Sequence, residues 1–238
     1  MRKILVSNDD GIDSEGLARL ASVAGKFGEV WVVAPAKQFS ATSHSALFWD
    51  PIDVWPVKDF PVEGVHAFAT SGTPSDCVCI GLSCVVPGGP DVVMTGINFG
   101  YNIASDIQYS ATVGAAFEAA NHGIHTIAFS ESHEGIHETT DRYIEEIITE
   151  LIDKPAVRNE IWNVNFPGCH LDECPGIKYG CKVSQEDFYA GGYDIVAQDG
   201  EKISYKVNLD RNWWGAEGTD LGAIVGNYVS VGKVRNYC

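Results

Sequence analysis

The stretch Ile4-Leu5-Val6-Ser7-Asn8-Asp9-Asp10-Gly11 constrains this chain more than any other. Three apolar residues in succession, without alternation, read as a strand covered on both faces, as in a parallel sheet. Asn8-Asp9-Asp10-Gly11 cannot extend that strand, because two adjacent carboxylates do not enter a core unpaired. They therefore belong to the loop at the strand's C-terminal end, where open α/β sheets hold their ligands. One reading makes this a polar turn in which Asp13 or Ser14 caps the next helix. The other requires Asp9 and Asp10 together and makes the loop a site for a hard divalent cation, which clustered oxygens suit.

The rest of the chain supplies a sheet for that strand. Leu17, Leu20, Ala21 and Ala24 repeat at helical spacing and stop at Gly25. Val30–Ala34 is a second buried strand halted by Pro35, so the opening is a βαβ unit with a right-handed crossover. Neither the Gly-x-Gly-x-x-Gly fingerprint nor a Walker sequence is present, which removes the main support for dinucleotide and P-loop readings. Leu47 to Val57 reads as a strand-rich connection. Thr73 caps a helix with Pro74 in its first position, running to about Cys84. Asp91–Thr95 and Thr126–Phe129 are further strands, Ile161–Pro167 is a last sheet-like run, and Tyr143–Leu151 is an amphipathic helix.

From about Gly176 polar and apolar residues alternate around the turn signals Gly191-Gly192 and Asp199-Gly200, which predicts antiparallel strands and a hairpin leaving the core. An oligomer partner is one way to cover such edges. Asp220–Val225 reads as a short helix and Tyr228–Val231 as a closing strand. The expected fold is α/β, one domain over 1–238 with a mostly parallel sheet, flanking helices and a β-rich excursion at 176–215.

Composition bounds the partners. The 238 residues are 45% hydrophobic, enough for one sizeable core, and carry a net charge of -16. That field repels nucleic-acid polymers and anionic membranes, and would repel small phosphates unless a cation or clustered N–H donors offset it. No apolar run approaches the ~20 residues of a membrane helix, and the N-terminus lacks a signal-peptide layout. A cytoplasmic protein without membrane or nucleic-acid partners is expected. Seven scattered cysteines argue against a secreted disulfide framework. Cys169, Cys174 and Cys181 with His170 could be arranged around zinc but lack compact pairing. His133-Glu134-Gly135-Ile136-His137 matches a zinc-protease pattern literally; yet it follows a strand and holds a glycine at its centre, so it reads as coincidence.

Three further loops carry candidates. Pro35–Ser45 is dense in hydroxyls and contains His44. In Gly96–Asn102 two glycines allow close backbone approach, and Asn98 offers a neutral oxygen. Ser110 would cap a helix whose first turn of small residues leaves its N–H groups open to an anion. A helix that packs closely through Gly114 and Ala115 explains the same residues, and both readings can hold.

Taken together, Ser7–Gly11, Ser40–Ser45, Ser71–Val78, Gly96–Asn98, Tyr109–Ala116, Asn163–Pro167, Thr219-Asp220 and Gly226–Ser230 resemble the SurE-type (survival protein E) 5'-nucleotidases from residue 3 to about residue 231. The resemblance implies a Rossmann-like domain, with the C-terminal excursion used in homodimer or homotetramer assembly. It also implies divalent-metal-dependent hydrolysis of nucleoside monophosphates, sometimes with 3'-nucleotides and short polyphosphates. By position it puts one Mg²⁺ or Mn²⁺ per subunit on Asp9, Asp10, Ser40 and Asn98. Phosphate and substrate contacts fall on Asn8, Asn98, Asn102, Ser110, Ala111 and Thr112. The pattern is broken where Ala41 and Ala111 replace glycine, at Ala36-Lys37, at Ile12 in place of tyrosine, and in the ending 231–238.

The implied chemistry is in-line attack of a water on phosphorus, with Asp9 and Asp10 as the catalytic carboxylates and His44 as proton donor to the leaving group. An aspartyl-phosphate phosphatase is a second reading, but it usually needs two aspartates flanking a single residue. A nucleotide-sensing module without hydrolysis is a third, supported by Ala111.

Overall fold

The computed structural model describes residues 1–154 and 157–236, so Tyr237 and Cys238 of the divergent ending lie outside the described residues. In chain order the strands are β1 (Lys3–Ser7), β2 (Glu29–Pro35), β3 (Val54–Pro56), β4 (His66–Thr70), β5 (Val92–Phe99), β6 (His125–Glu131), β7 (Glu160–Phe166), β8 (Ile177–Cys181), β9 (Tyr193–Asp199), β10 (Lys202–Val207) and β11 (Val229–Arg235). The helices are α1 (Glu15–Ala24), α2 (Pro74–Ile80), α3 (Ala111–Asn121), α4 (Glu138–Leu151) and α5 (Asp220–Val225).

Nine strands form one sheet in the order β3-β4-β2-β1-β5-β6-β7-β11-β8. The six from β4 to β7 are parallel, whereas β3 and β11 run antiparallel to β4 and β7. β1, buried from Ile4 to Ser7, lies between β2 and β5 because its residues serve two cores. Ile4 and Val6 join Leu17 and Leu20 of α1 and Ile144, Ile147 and Ile148 of α4. Leu5 joins Cys77 and Val78 of α2 and Ala115 and Ala119 of α3 on the other face. The side-chain period of two thus sets one helical layer on each side. From β1 the chain crosses to β2 on one side, then returns through α2 to β5 on the other. The order therefore reverses at β1–β5, where a crevice opens beyond the strand ends.

Local signals behave as their chemistry dictates. Ser14 caps α1, accepting from the Leu17 N–H at 3.3 Å. Thr73 and Asp76 form a reciprocal box at the start of α2. Gly25 ends α1 but at φ -57°, so its left-handed freedom goes unused. α2 stops at Ile80 and continues as a π-helical turn over Gly81–Val85, while α4 begins at Glu138, earlier than the apolar periodicity indicates. Between Leu47 and Val57 only the three residues of β3 are extended, with Phe48 and Trp49 exposed.

The excursion is shorter than the alternation implies. β8, at its expected start, instead pairs in parallel with β11 at the sheet edge. The separate antiparallel hairpin is β9–β10, exposed along nearly its whole length. Among the described residues no helix is long and apolar enough to cross a membrane.

Gly114 shows packing overriding propensity. A Cβ there would meet Ser43 O at 2.7 Å and His44 Cα at 2.8 Å, so its hydrogen lets the loop before β3 lie on α3. Helix propensity alone would make Gly114→Ala stabilising by about 1 kcal/mol. Because the obstruction is backbone, the expected outcome is instead a net loss of about 1–3 kcal/mol, read as a lowered midpoint in thermal unfolding.

Candidate active site

At the end of β1 the backbone turns through a loop braced by its own first residue. Asn8 donates to Gly11 O at 3.1 Å and to Ser14 Oγ at 2.7 Å, and accepts from the Gly11 N–H at 3.3 Å. Asn8 is buried, and these bonds make it the tie between the turn and the cap of α1.

Asp9 follows, with 3% of its surface exposed. Thr112 in the first turn of α3 donates its hydroxyl to Asp9 Oδ1, and the same Oγ1 lies 3.4 Å from Asn98 Oδ1 on β5. Asp10 is less enclosed and accepts from the Phe99 N–H at 3.0 Å and from Gln38 Nε2 at 3.1 Å. Gln38 also donates to Ser40 Oγ at 2.9 Å. The ends of β1 and β5, the loop after β2 and the start of α3 therefore bring Asp9, Asp10, Asn98, Thr112 and Ser40 into one bonded group. The Phe39 N–H, bonded to Asp9 O at 2.7 Å, fastens the third of these elements.

The electrostatics are unusual for so acidic a spot. Burial, opposed by the Thr112 hydrogen bond and reinforced by the charge of Asp10, pushes the Asp9 carboxyl up to about 6. Burial raises Asp10 as well, against the bonds from Phe99 and Gln38. The partners of both are neutral groups. Arg19, the cation lining the adjoining cleft, is taken up by Glu131 and Asp141 at 2.6 Å each. Two carboxylates, an amide oxygen and hydroxyls without a compensating cation form a donor set that fits Mg²⁺ or Mn²⁺.

Ser110 caps α3, accepting from the Val113 N–H at 3.1 Å, and the first-turn N–H groups have no partner within the helix. Ala111 and Thr112 are buried there. Two other candidates have their hydrogen-bond partners outside the aspartate group. Asn102 is engaged in the fold, its side chain donating to Ser130 Oγ at 2.7 Å and its carbonyl accepting from Asn163 and Asn165. His44 is bonded through Nε2 to Glu118 at 2.7 Å rather than to either aspartate, and this bond above all draws the Glu118 carboxyl down to about 2. Ala41 and Ser43 in the same loop adopt left-handed φ of 59° and 56°, so glycine at position 41 would relieve strain there.

Sequence reasoning missed Gln38, the Phe99 N–H and Glu118. Gln38 carried a signal only in hindsight, as an amide within a hydroxyl-rich loop. Beside Asp10 opens a cleft lined by Gly16, Arg19, Ile97, Phe99 and Glu131, with the Phe99 ring more than half exposed. Neither zinc pattern converges. His133 contacts Arg211 and His137 contacts Glu131. His170 bonds Glu138 at 3.0 Å, and neither set forms a ligand group among the described residues.

A mostly parallel α/β sheet with an oxygen-rich site at its switch point defines a class, and comparison with known proteins narrows it. The model of the family "Survival protein SurE" matches residues 4–189. The 5'-nucleotidase SurE of Clostridium botulinum (strain ATCC 19397 / Type A) is 36% identical over 232 residues, covering 96% of this chain and 90% of that protein. That of Mesorhizobium japonicum is 36% identical over 239 residues, covering 96% and 91%. The crystal structure of SurE protein from Aquifex aeolicus superposes with a TM-score of 0.83 at 31% identity, covering 98% of this chain and 93% of that one. The chain belongs to the SurE family.

The raised carboxyl of Asp9 has a sign that can be tested on stability. A group whose folded value, about 6, exceeds its unfolded value of 3.8 favours folding below 3.8. That contribution is lost as pH rises through about 6. Asp9→Asn removes the charge while keeping an acceptor for Thr112. In chelated protein it is expected to raise stability at pH 7.5 by on the order of 1–3 kcal/mol. The gain should vanish near pH 4, as read by paired thermal melts across pH.

Proposed function

We propose that this chain is a divalent-metal-dependent phosphomonoesterase that hydrolyses nucleoside monophosphates, a 5'-nucleotidase. The observation that carries the reading is Asp9, a buried carboxylate with neutral partners, beside Asp10 and facing the open start of α3. Relatives of about this length carry the name 5'-nucleotidase, which supports the substrate class. Asp9, Asp10, Ser40 and Asn98 would hold one Mg²⁺ or Mn²⁺ ion. Bound there, such an ion supplies positive charge toward the phosphate and acidifies a water for in-line attack.

The protein's own groups do the rest. The N–H groups of Ala111 and Thr112, behind the Ser110 cap, receive phosphate oxygens that the chain's charge of -16 would otherwise repel. Thr112 keeps Asp9 oriented while Gln38 and the Phe99 N–H hold Asp10. His44, aligned by Glu118, gives a proton to the leaving nucleoside oxygen. The cleft beside Asp10 receives the nucleoside, with the exposed Phe99 ring as a face for the base. Action on 3'-nucleotides and short polyphosphates belongs to the same reading, because the phosphate carries most of the recognition. Exposed Ile195, Val196 and Tyr205 on the β9–β10 hairpin support assembly through that hairpin into a homodimer or homotetramer. Sedimentation should give a mass above that of one chain, reduced by Tyr205→Asp.

The deciding assay is phosphate release from a panel of nucleoside monophosphates by chelated protein, by protein restored with Mn²⁺ or Mg²⁺, and by variants. Activity is expected only with metal and to be lost in Asp9→Asn. Phe99→Ala should raise KM for nucleotides about 5- to 100-fold, the worth of one base–aromatic stack, without changing it for p-nitrophenyl phosphate. No release from any nucleotide by folded, metal-binding protein would sink the hydrolase and favour a nucleotide-sensing module.

A further inference from the structure

On the α2–α3 side of the sheet, away from the strand ends, a second group of ligand atoms converges. Cys79 Sγ donates to Glu118 Oε1 at 3.1 Å, and His122 Nε2 lies 3.2 Å from the same oxygen. All three atoms lie within 4.8 Å of one another, and among the described residues no other trio of His, Cys, Asp or Glu meets that condition. We propose that Cys79, Glu118 and His122 form a binding site for a borderline-soft divalent cation, Zn²⁺ or an ion like it, distinct from the oxygen site at Asp9 and Asp10.

The ligand types argue for the ion. A thiolate, an imidazole and a carboxylate are the three side-chain ligands zinc takes in proteins, whereas Mg²⁺ and Mn²⁺ prefer oxygen alone. Bonds of about 2.0–2.3 Å at tetrahedral angles separate neighbouring ligand atoms by about 3.3–3.7 Å. The two measured edges fall a few tenths of an ångström short of this, within the reach of small side-chain rotations.

The scaffold is set by regular structure. Glu118 in the last turn of α3 and His122 at its C-cap stand four residues apart with their side chains in contact, and Cys79 comes from the last turn of α2 packed against them. Glu118 is further oriented through its other oxygen, which His44 Nε2 holds at 2.7 Å. Metal-ligating carboxylates are characteristically fixed by such an outer partner.

The His122 side chain is about half exposed, giving the ion a route in and leaving a fourth position for water. Binding displaces the proton that Cys79 shares with Glu118: the S–H bond breaks, the sulfur–metal bond forms and the proton goes to solvent, while His122 binds as neutral imidazole. The site lies about 12 Å along α3 from Ser110, eight residues at 1.5 Å each, so the two cation sites do not share ligands. An ion there would tie α2 to α3 and, through Glu118 and His44, to the loop that carries Ser40.

The test uses the full chain, stripped with chelator and titrated with Co²⁺, whose thiolate complex has a near-ultraviolet charge-transfer band. A stoichiometric band is expected, displaced by Zn²⁺ but not by excess Mg²⁺. It should persist in Asp9→Asn, vanish in Cys79→Ser, and require at least about tenfold more Co²⁺ in His122→Ala, with circular dichroism showing each variant folded. No band in the wild type, or one that survives Cys79→Ser and so arises from another cysteine, would overturn the proposal. The readout is independent of phosphate release, so the site can stand or fall apart from the nucleotidase reading.

Discussion

The carboxylate of Asp9 is the constraint around which this molecule is arranged. A charge at the end of a fully buried central strand has to be reached by groups from other elements or be neutralised. Thr112 comes from α3, the loop after β2 closes over the main chain of Asp9, and Asn98 arrives on β5. None of these contacts brings a positive charge. The fold therefore holds a carboxyl raised to about 6, with other side-chain oxygens already assembled beside it. Such an arrangement is costly in the free protein and would become favourable were a cation shared among those oxygens, as the proposed function has it. On the proposed function, stability and activity pull in opposite directions at this residue.

The same tension extends to the loop after β2. Ala41 and Ser43 hold left-handed backbone conformations, and the loop still packs so closely on α3 that only a glycine fits at position 114. Its residues are fixed from three directions: Phe39 by Asp9, Ser43 by the Tyr109 carbonyl and His44 by Glu118. Local strain is tolerated where surrounding bonds over-determine the conformation. Ser40 is thereby delivered to Gln38 and Asp10 by a segment with no regular structure of its own.

Much of this was legible in the order of residues, because it depends on local rules. Two adjacent acids cannot continue a buried strand, so Asp9 and Asp10 had to lie at a strand end. Ser14 and Ser110 stand where helix caps belong, and the apolar runs at 4–6, 30–34 and 92–95 became strands of the parallel sheet. What escaped is what depends on three-dimensional closure. Gln38 is unremarkable until the loop folds back on Asp10. Asn8 and Asn102 look like ligand groups, but the side chain of Asn8 braces the backbone turn and that of Asn102 donates to the Ser130 hydroxyl. Cys79 and His122, forty-three residues apart, meet only because α2 and α3 pack on the same face of the sheet. β8 alternates like a hairpin strand, and nothing local says that it will pair with a segment fifty residues later.

That last pairing bears on how the molecule is made. β11 lies between β7 and β8, hydrogen-bonded to both, and it follows them in the chain at residues 229–235, some fifty residues after β8. A ribosome will have released β1 through β7, with every residue of the oxygen site, long before that strand emerges. The nascent chain can thus bring those residues together early, yet until residues 229–235 are out β7 remains an open edge and β8 has no strand beside it. Insertion of β11 completes this part of the sheet, and until it happens the exposed edge is where a neighbouring chain or a chaperone would find its hold.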